Sequence, residues 1–281
     1  MKKLLLVDGT YLLFQMFYGM PSKIFNKSNQ NIEGVIGFVG GLINTIKQVK
    51  PTHIAVFFDS EEGSSRNLIN PDYKANRPSF QDVDEVDNPF SRLSQIYEAL
   101  DVLNIKHQEI RGKEVDDVIA SYAMTYQDSY KIVISSADSD YFQLVNHNVS
   151  VFRYKGKNSL FFNEEKVVEK YNVLPAYFAD YKALVGDASD NIKGVPKVGA
   201  KTAAKLINQF GGIDEIIENV DEIESMKIRE NIKEYNLVLK MNYQIIKLVK
   251  GEIIFDINEC LYDLKELLTS TEVLNKINIY N

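Results

Sequence analysis

The 281-residue chain has one cysteine, Cys260, so it forms no disulfide within itself, and a reducing, cytoplasmic setting fits it best. Long apolar runs are missing. The opening MKKLLLVDGT carries only a short one before Asp8, too short for the core of a secretion signal, and nothing elsewhere nears the length that spans a bilayer. Histidine is scarce: His53, His107 and His147 all lie away from the acidic clusters, so each reads as a surface or core residue and not a ligand. Basic charge is short too. A net charge of −7 argues, taken alone, against a nucleic-acid partner, although a net value averages over acidic pockets and basic strips. There is no internal repeat or low-complexity tract. The rest is ordinary globular composition, 45% hydrophobic and 25% charged, enough for one large domain or two moderate ones.

The first half alternates apolar runs with amphipathic segments. KLLLVD (3–8), HIAVFFD (53–59) and YKIVISSAD (130–138) have the near-continuous apolar character of strands buried in a parallel sheet. Helical patterns lie over 34–48, 89–102 and 114–125. This rhythm predicts an α/β domain with a mainly parallel central sheet flanked by helices, over 1–160. From 161 to 281 the patterns are short helices with turn punctuation, and EIIFD (252–256) is the one strand candidate. Residues 60–90 form a long, weakly patterned stretch rich in Asn, Ser, Pro and Asp, of a length that is usually functional or disordered.

The three strands end in, or just before, Asp8, Asp59 and Asp138. In open α/β sheets ligands bind beyond the carboxyl ends of the strands. In GKEVDDVIASY, Val115, Val118, Ile119 and Tyr122 form one helical stripe, and Glu114, Asp116 and Asp117 take the other arc. Acids in a first helical turn also oppose the helix dipole, so this turn alone leaves a structural and a metal-binding reading open. The same holds for Asp138 and Asp140 in SADSDYFQL and for Asp187 and Asp190 in VGDASDNIKGV, where aspartate-rich turns need no ligand. Jointly, these nine carboxylates could not stay ionised together at neutral pH without cations. An all-oxygen donor set suits hard ions, Mg²⁺ or Mn²⁺, and two such ions can clamp a phosphodiester for attack by water.

At this point the motifs LLLVDGTYLLFQMFY, FFDS, PDYKANRP, GKEVDDVIASYA, SSADSDYFQLV and VGDASDNIKGVPKVGAKTAAKLI resemble, in order and spacing, the structure-specific 5′-nucleases. That family includes flap endonucleases, 5′–3′ exonucleases and the N-terminal nuclease domain of bacterial DNA polymerase I. The resemblance covers most of residues 1–215, and the chain looks like a stand-alone form without a polymerase. It implies a PIN-like nuclease core, a helical arch at about 60–90 and a helix–three-turn–helix at about 183–210. Asp8, Asp59, Glu114 and Asp116 are similar to ligands of a first metal ion, and Asp138, Asp140 and Asp190 to ligands of a second. Asp117 and Asp187 match further family acids acting through metal-bound water.

In the arch segment, Lys74 and Arg77 fall three apart on one side of a helix, placed to neutralise a scissile phosphate, with Tyr73 as a stacking platform for a terminal base. Arg66 matches a family arginine, and Asp82, Asp84, Glu85 and Asp87 make the far arch acidic. In the clamp, Lys193, Lys197, Lys201 and Lys205 form a basic strip, and Gly199 precedes a helix N-terminus suited to a phosphate. Relatives hold potassium here through main-chain carbonyls, which map to Leu184, Val185, Lys193, Val195 and Val198. Lys197 stands where the family commonly has glycine, so a positive φ there would add strain.

The resulting expectation is a monomeric, Mg²⁺- or Mn²⁺-dependent nuclease in DNA replication and repair, acting on DNA with a free 5′ end. The rivals are a non-catalytic binder of branched DNA and a phosphatase of the haloacid-dehalogenase type, which would want Asp-x-Asp where this chain has VDGTY.

Overall fold

The computed structural model describes residues 2–60, 65–80 and 82–281. A six-stranded sheet runs in the order β3-β2-β1-β4-β5-β6. Its strands are β1 (Lys3–Asp8), β2 (His53–Asp59), β3 (Lys106–Ile110), β4 (Lys131–Ser135), β5 (Val149–Arg153) and β6 (Leu160–Phe162). All neighbours are parallel except β5 and β6. β1 lies between β2 and β4, with Leu6 opposite Ala55 on one side and Ile134 on the other, so both of its edges are paired.

The period of two along the strands sorts the core into two layers. Leu4, Leu6, Ala55 and Phe57 face α4 (Val115–Tyr126) and the helical half of the chain. Leu5, Val7, Ile54, Val56 and Phe58 face α1 (Gly9–Gly19), α2 (Glu33–Val49) and α3 (Leu93–Val102). α2 buries Val35, Phe38, Val39, Leu42, Ile43, Ile46 and Val49, the spacing its sequence shows. α1 was not predicted: GTYLLFQMFYG is apolar nearly all round and has no amphipathic stripe. β3 was not predicted either. KHQEI is an edge strand whose alternating polar residues face solvent.

The second half contains α5 (Glu164–Tyr171), α6 (Phe178–Val185), a two-stranded ribbon of β7 (Gly186–Asp187) and β8 (Ile192–Lys193), α7 (Ala200–Phe210), α8 (Ile213–Glu218), α9 (Met226–Glu234) and α10 (Asn236–Ile246). The expected strand at 252–256 is absent. Residues 249–255 run as an extended strap along α4, where the Val249, Gly251 and Phe255 N–H groups donate to Asp117 Oδ1 (3.1 Å), Ser121 Oγ (2.6 Å) and the Tyr122 hydroxyl (2.6 Å). With these donors satisfied by side chains, no partner strand is needed.

The chain then returns to the α/β layer. Tyr262 N–H donates to Thr52 O (2.9 Å), and α11 (Ser270–Lys276) buries Val273 and Leu274 with the α2–α3 core. The last residues therefore do not stay with the helical region. The expected helical arch over 60–90 is, among its described residues, a series of turns with single 3₁₀ turns at Ser65–Leu68 and Pro89–Arg92; positions 61–64 and 81 lie outside the described residues. Among the described residues no helix is long and apolar enough to cross a membrane.

Candidate metal centre

The parallel sheet delivers carboxylates from four loops to its carboxyl edge, around β1, where the strand order reverses. Asp8 ends β1 and caps α1: its Oδ1 accepts the Tyr11 N–H (2.8 Å) and its Oδ2 accepts the Ser136 hydroxyl (3.0 Å). Asp59 ends β2 and accepts the Val115 N–H at 3.1 Å, which fixes the start of α4. The next residue, Asp116, projects from that first turn. Asp138 follows β4 and accepts the Asp140 N–H at 2.8 Å.

These four acids lie in one another's field. Burial, then Asp59 and Asp138, push Asp8 up to about 7. Burial, then Asp138, Asp8 and Asp59, raise Asp116 well above the carboxylate range. Burial also raises Asp59, and the Lys74 charge lowers both Asp59 and Asp116 from a distance. Tyr141 is fully buried, and burial with the Asp116 and Asp8 charges holds its phenol far above its usual range. No ion pair reaches Asp8, Asp59, Asp116 or Asp138 among the described residues.

The remaining five acids are each held by a cation from the same chain. Arg66, itself buried, pairs with Glu114 and with Asp117 (2.9 Å), and Lys74 pairs with Glu114 (3.0 Å). Arg77 pairs with Asp190 at 2.7 Å. Lys182 pairs with Asp140 and with Asp187 (2.5 Å). Burial alone would raise Asp187, but Lys182 and the Ser189 donors outweigh it and hold the carboxyl at about 2.

Two expectations change here, and one residue is added. Lys74 and Arg77 do not share a helix face: Lys74 sits in a turn with φ +57°, and each cation goes to a different carboxylate. Tyr73 is not an open stacking platform, because it is 3% exposed and its hydroxyl donates to Glu114 Oε2 (3.1 Å). Lys182 was missed altogether; its signal was a lysine set between Tyr181 and Ala183 in FADYKALV, five residues before Asp187. The 72–77 turn is also stapled to the 188–191 loop, by Lys74 N–H to Asp190 O (3.0 Å), Asn76 Nδ2 to Ala188 O (3.1 Å) and Asn191 Nδ2 to Asp72 O (2.8 Å). Sequence-distant segments thus meet at one edge.

The donor chemistry fits a hard divalent ion: oxygen only, half-buried or buried, and mutually repelling. Among the described residues no three His, Cys, Asp or Glu side chains converge into a ready-made cage. Several carboxylates are instead engaged by lysine and arginine.

Beside the acids, α6, the β7–β8 ribbon and α7 form a hairpin built on close backbone approach. Gly186 has φ +85°, and a Cβ on Gly194 would lie 2.3 Å from the Val185 carbonyl. Lys193, Lys197, Lys201 and Lys205 are exposed along it, and Lys205 pairs with Glu224. Nothing lies within 4 Å of a Cβ built on Gly199, the residue that caps α7. Lys197 has φ +65°, a left-handed backbone that strains a lysine. Of the carbonyls expected around potassium, Leu184 O accepts the Val195 N–H (2.9 Å), Val195 O accepts the Val198 N–H (3.0 Å), and Lys193 O accepts from Asn242 (2.8 Å).

The family model of the 5′-3′ exonuclease N-terminal resolvase-like domain matches residues 3–172, and that of the 5′-3′ exonuclease C-terminal SAM fold matches residues 173–266. The chain belongs to the 5′-3′ exonuclease family. A 5′-3′ exonuclease of Buchnera aphidicola subsp. Acyrthosiphon pisum is 36% identical over 242 residues, covering 85% of this chain and 81% of that one. DNA polymerase I of Bacillus subtilis is 35% identical over 83% of this chain, which spans only 26% of that protein. Among solved structures, a bacteriophage T5 D15 flap endonuclease complex with DNA and metal ions superposes with a TM-score of 0.73 at 25% identity, covering 99% of this chain and 97% of that one. The catalytic core of Rad2 in complex with DNA matches at a TM-score of 0.64 and 14% identity, covering 98% and 87%, which shows the shared fold.

Proposed function

We propose that this chain hydrolyses phosphodiester bonds near the 5′ ends of duplex or flap DNA, with divalent metal ions held by the sheet-edge carboxylates. The observation that carries this reading is the unpaired set Asp8, Asp59, Asp116 and Asp138, whose mutual repulsion calls for a cation. The related exonucleases and the T5 complex with DNA and metal ions support it. Oxygen-only donors favour Mg²⁺ or Mn²⁺. When bound, such ions supply charge neutralisation at phosphate and an activated water.

The chain's own residues do the rest. Exposed Lys193, Lys197 and Lys201, with the N-terminus of α7, grip the phosphates of a duplex arm. Lys74, Arg77 and Arg66 lie on the arch side of the acids and screen an incoming phosphate from them. Asp117 holds the 249–255 strap and Arg66 together, which fixes α4 and hence Asp116. A potassium ion at Leu184, Val185, Lys193, Val195 and Val198 would need carbonyl lone pairs beyond those now bonded.

A 5′-labelled flap substrate incubated with Mg²⁺, Mn²⁺ or EDTA tests the reading. Short labelled products with either ion and none with EDTA are expected. Tight DNA binding without cleavage under Mn²⁺ would select a branched-DNA binder instead.

A further inference from the structure

Lys182 is an unusual residue to find on the buried face of α6: it is 6% exposed and lies between buried Tyr181 and Ala183 in the hydrophobic core. Taking an ammonium out of water is costly unless carboxylates surround it. Here two do, and they come from different parts of the chain. Asp140 belongs to the turn after β4, and Asp187 follows α6 in the β7–β8 ribbon. Asp138 adds its charge from nearby. The contact therefore ties the α/β edge to the helical hairpin. It also covers two carboxylates on the side of the cluster where the second cation would sit. The strand-end side has no such residue: Asp8, Asp59, Asp116 and Asp138 have no lysine or arginine at ion-pair distance among the described residues.

We infer that Lys182 is an internal counter-cation which holds Asp140 and Asp187 together until a divalent ion displaces it, so that the lysine and the ion compete for the same carboxylates. This rests on the reading of the acids as a divalent-metal site. The competition has two consequences. The metal-free protein keeps these acids compensated and the hairpin docked. Ion binding on this side pays for breaking two ion pairs, so this side is the weaker of the two. By linkage, removing the lysine must tighten ion binding by the same factor that the lysine weakens it.

Full-length protein and its Lys182→Met variant are titrated with Mn²⁺ by calorimetry, without DNA. Unaltered protein is expected to show a tight and a weaker phase, and the variant a weaker phase tightened by about tenfold or more. The variant should also melt lower than unaltered protein in EDTA and show a larger upward shift with Mn²⁺. No Mn²⁺ binding to unaltered protein would overturn the metal-site reading itself. Clear binding to unaltered protein with equal or weaker binding to the variant would overturn only the competition. If the variant does not fold, amine acylation of unaltered protein read by mass spectrometry decides. Lys182 modification should rise several-fold at saturating Mn²⁺, and an unchanged level overturns the inference.

Discussion

The acidic cluster has two unlike halves. On the strand-end side, Asp8, Asp59, Asp116 and Asp138 face one another without a paired cation. On the hairpin and arch side, Glu114, Asp117, Asp140, Asp187 and Asp190 are each matched by Arg66, Lys74, Arg77 or Lys182. The contrast is sharpest between two carboxyls: Asp8 is pushed up to about 7 and Asp187 is held at about 2, while burial lifts Asp140 to about 7 even beside its lysine. One half stores repulsion that an external cation relieves. The other is already neutralised, and its charges also join the arch segment to the hairpin. An acid-rich sequence thus carries two different electrostatic solutions within one site.

The comparison breaks most visibly at Asp116. Asp116→Asn should lower cleavage of a 5′ flap by at least about a hundredfold, the scale of losing one charge-stabilising group in an active site. The same change should raise the melting temperature in EDTA, because a neutral amide there avoids the cost that burial and the neighbouring acids place on the carboxyl. A variant that loses activity and also melts lower in EDTA would contradict the stored repulsion.

The pH dependence separates Asp8 from Asp187 next. Folded Asp8 keeps its proton up to about 7, whereas the unfolded chain releases it near 3.8, so the native state binds more protons in between. Stability in EDTA should therefore fall as pH rises from about 4 to about 7, by up to about 1.4 kcal/mol per pH unit for one such group. Asp140, raised by burial to about 7 despite Lys182, acts in the same direction. Asp187 acts oppositely: its contribution is present above 3.8 and is lost as pH falls through about 2. Urea melts from pH 2 to 8, with and without Mn²⁺, measure both, and saturating ion should flatten the slope above pH 4.

Smaller effects test the hairpin. Gly194→Ala places a methyl 2.3 Å from the Val185 carbonyl, where only backbone can move, and should cost about 2–3 kcal/mol. A melt shifted by several degrees with an unchanged sheet signature in circular dichroism is the expected result. Lys197→Gly relieves the left-handed backbone at φ +65° and should stabilise by about 0.5–1 kcal/mol. It should also weaken duplex binding modestly and lower its salt dependence by about one phosphate contact. Stabilisation without a change in salt dependence would remove Lys197 from the DNA face.

Much of this was legible beforehand. The runs LLLV and IAVFF are apolar on both faces, so they had to become inner strands, and the aspartates that end them had to gather at one edge. The stripe Val115, Val118, Ile119 and Tyr122 fixed which side of α4 its acids take. α1 escaped because it is apolar nearly all round, and β3 because an edge strand tolerates polar residues on both faces. The strap at 249–255 resembled a strand in composition, and only the α4 side chains that receive its N–H groups decide otherwise.

By itself, then, the sequence determined the sheet, the acids at its carboxyl edge and the glycine-dependent hairpin, because hydrophobic period and backbone sterics are local properties. Tertiary structure alone decided which acids stay unpaired and which are neutralised. Those pairings join residues up to 113 positions apart, as Arg77 does with Asp190, and burial sets their strength. Tyr73 shows the same division: its place in a motif suggested a surface for a base, and packing against Glu114 made it part of the core.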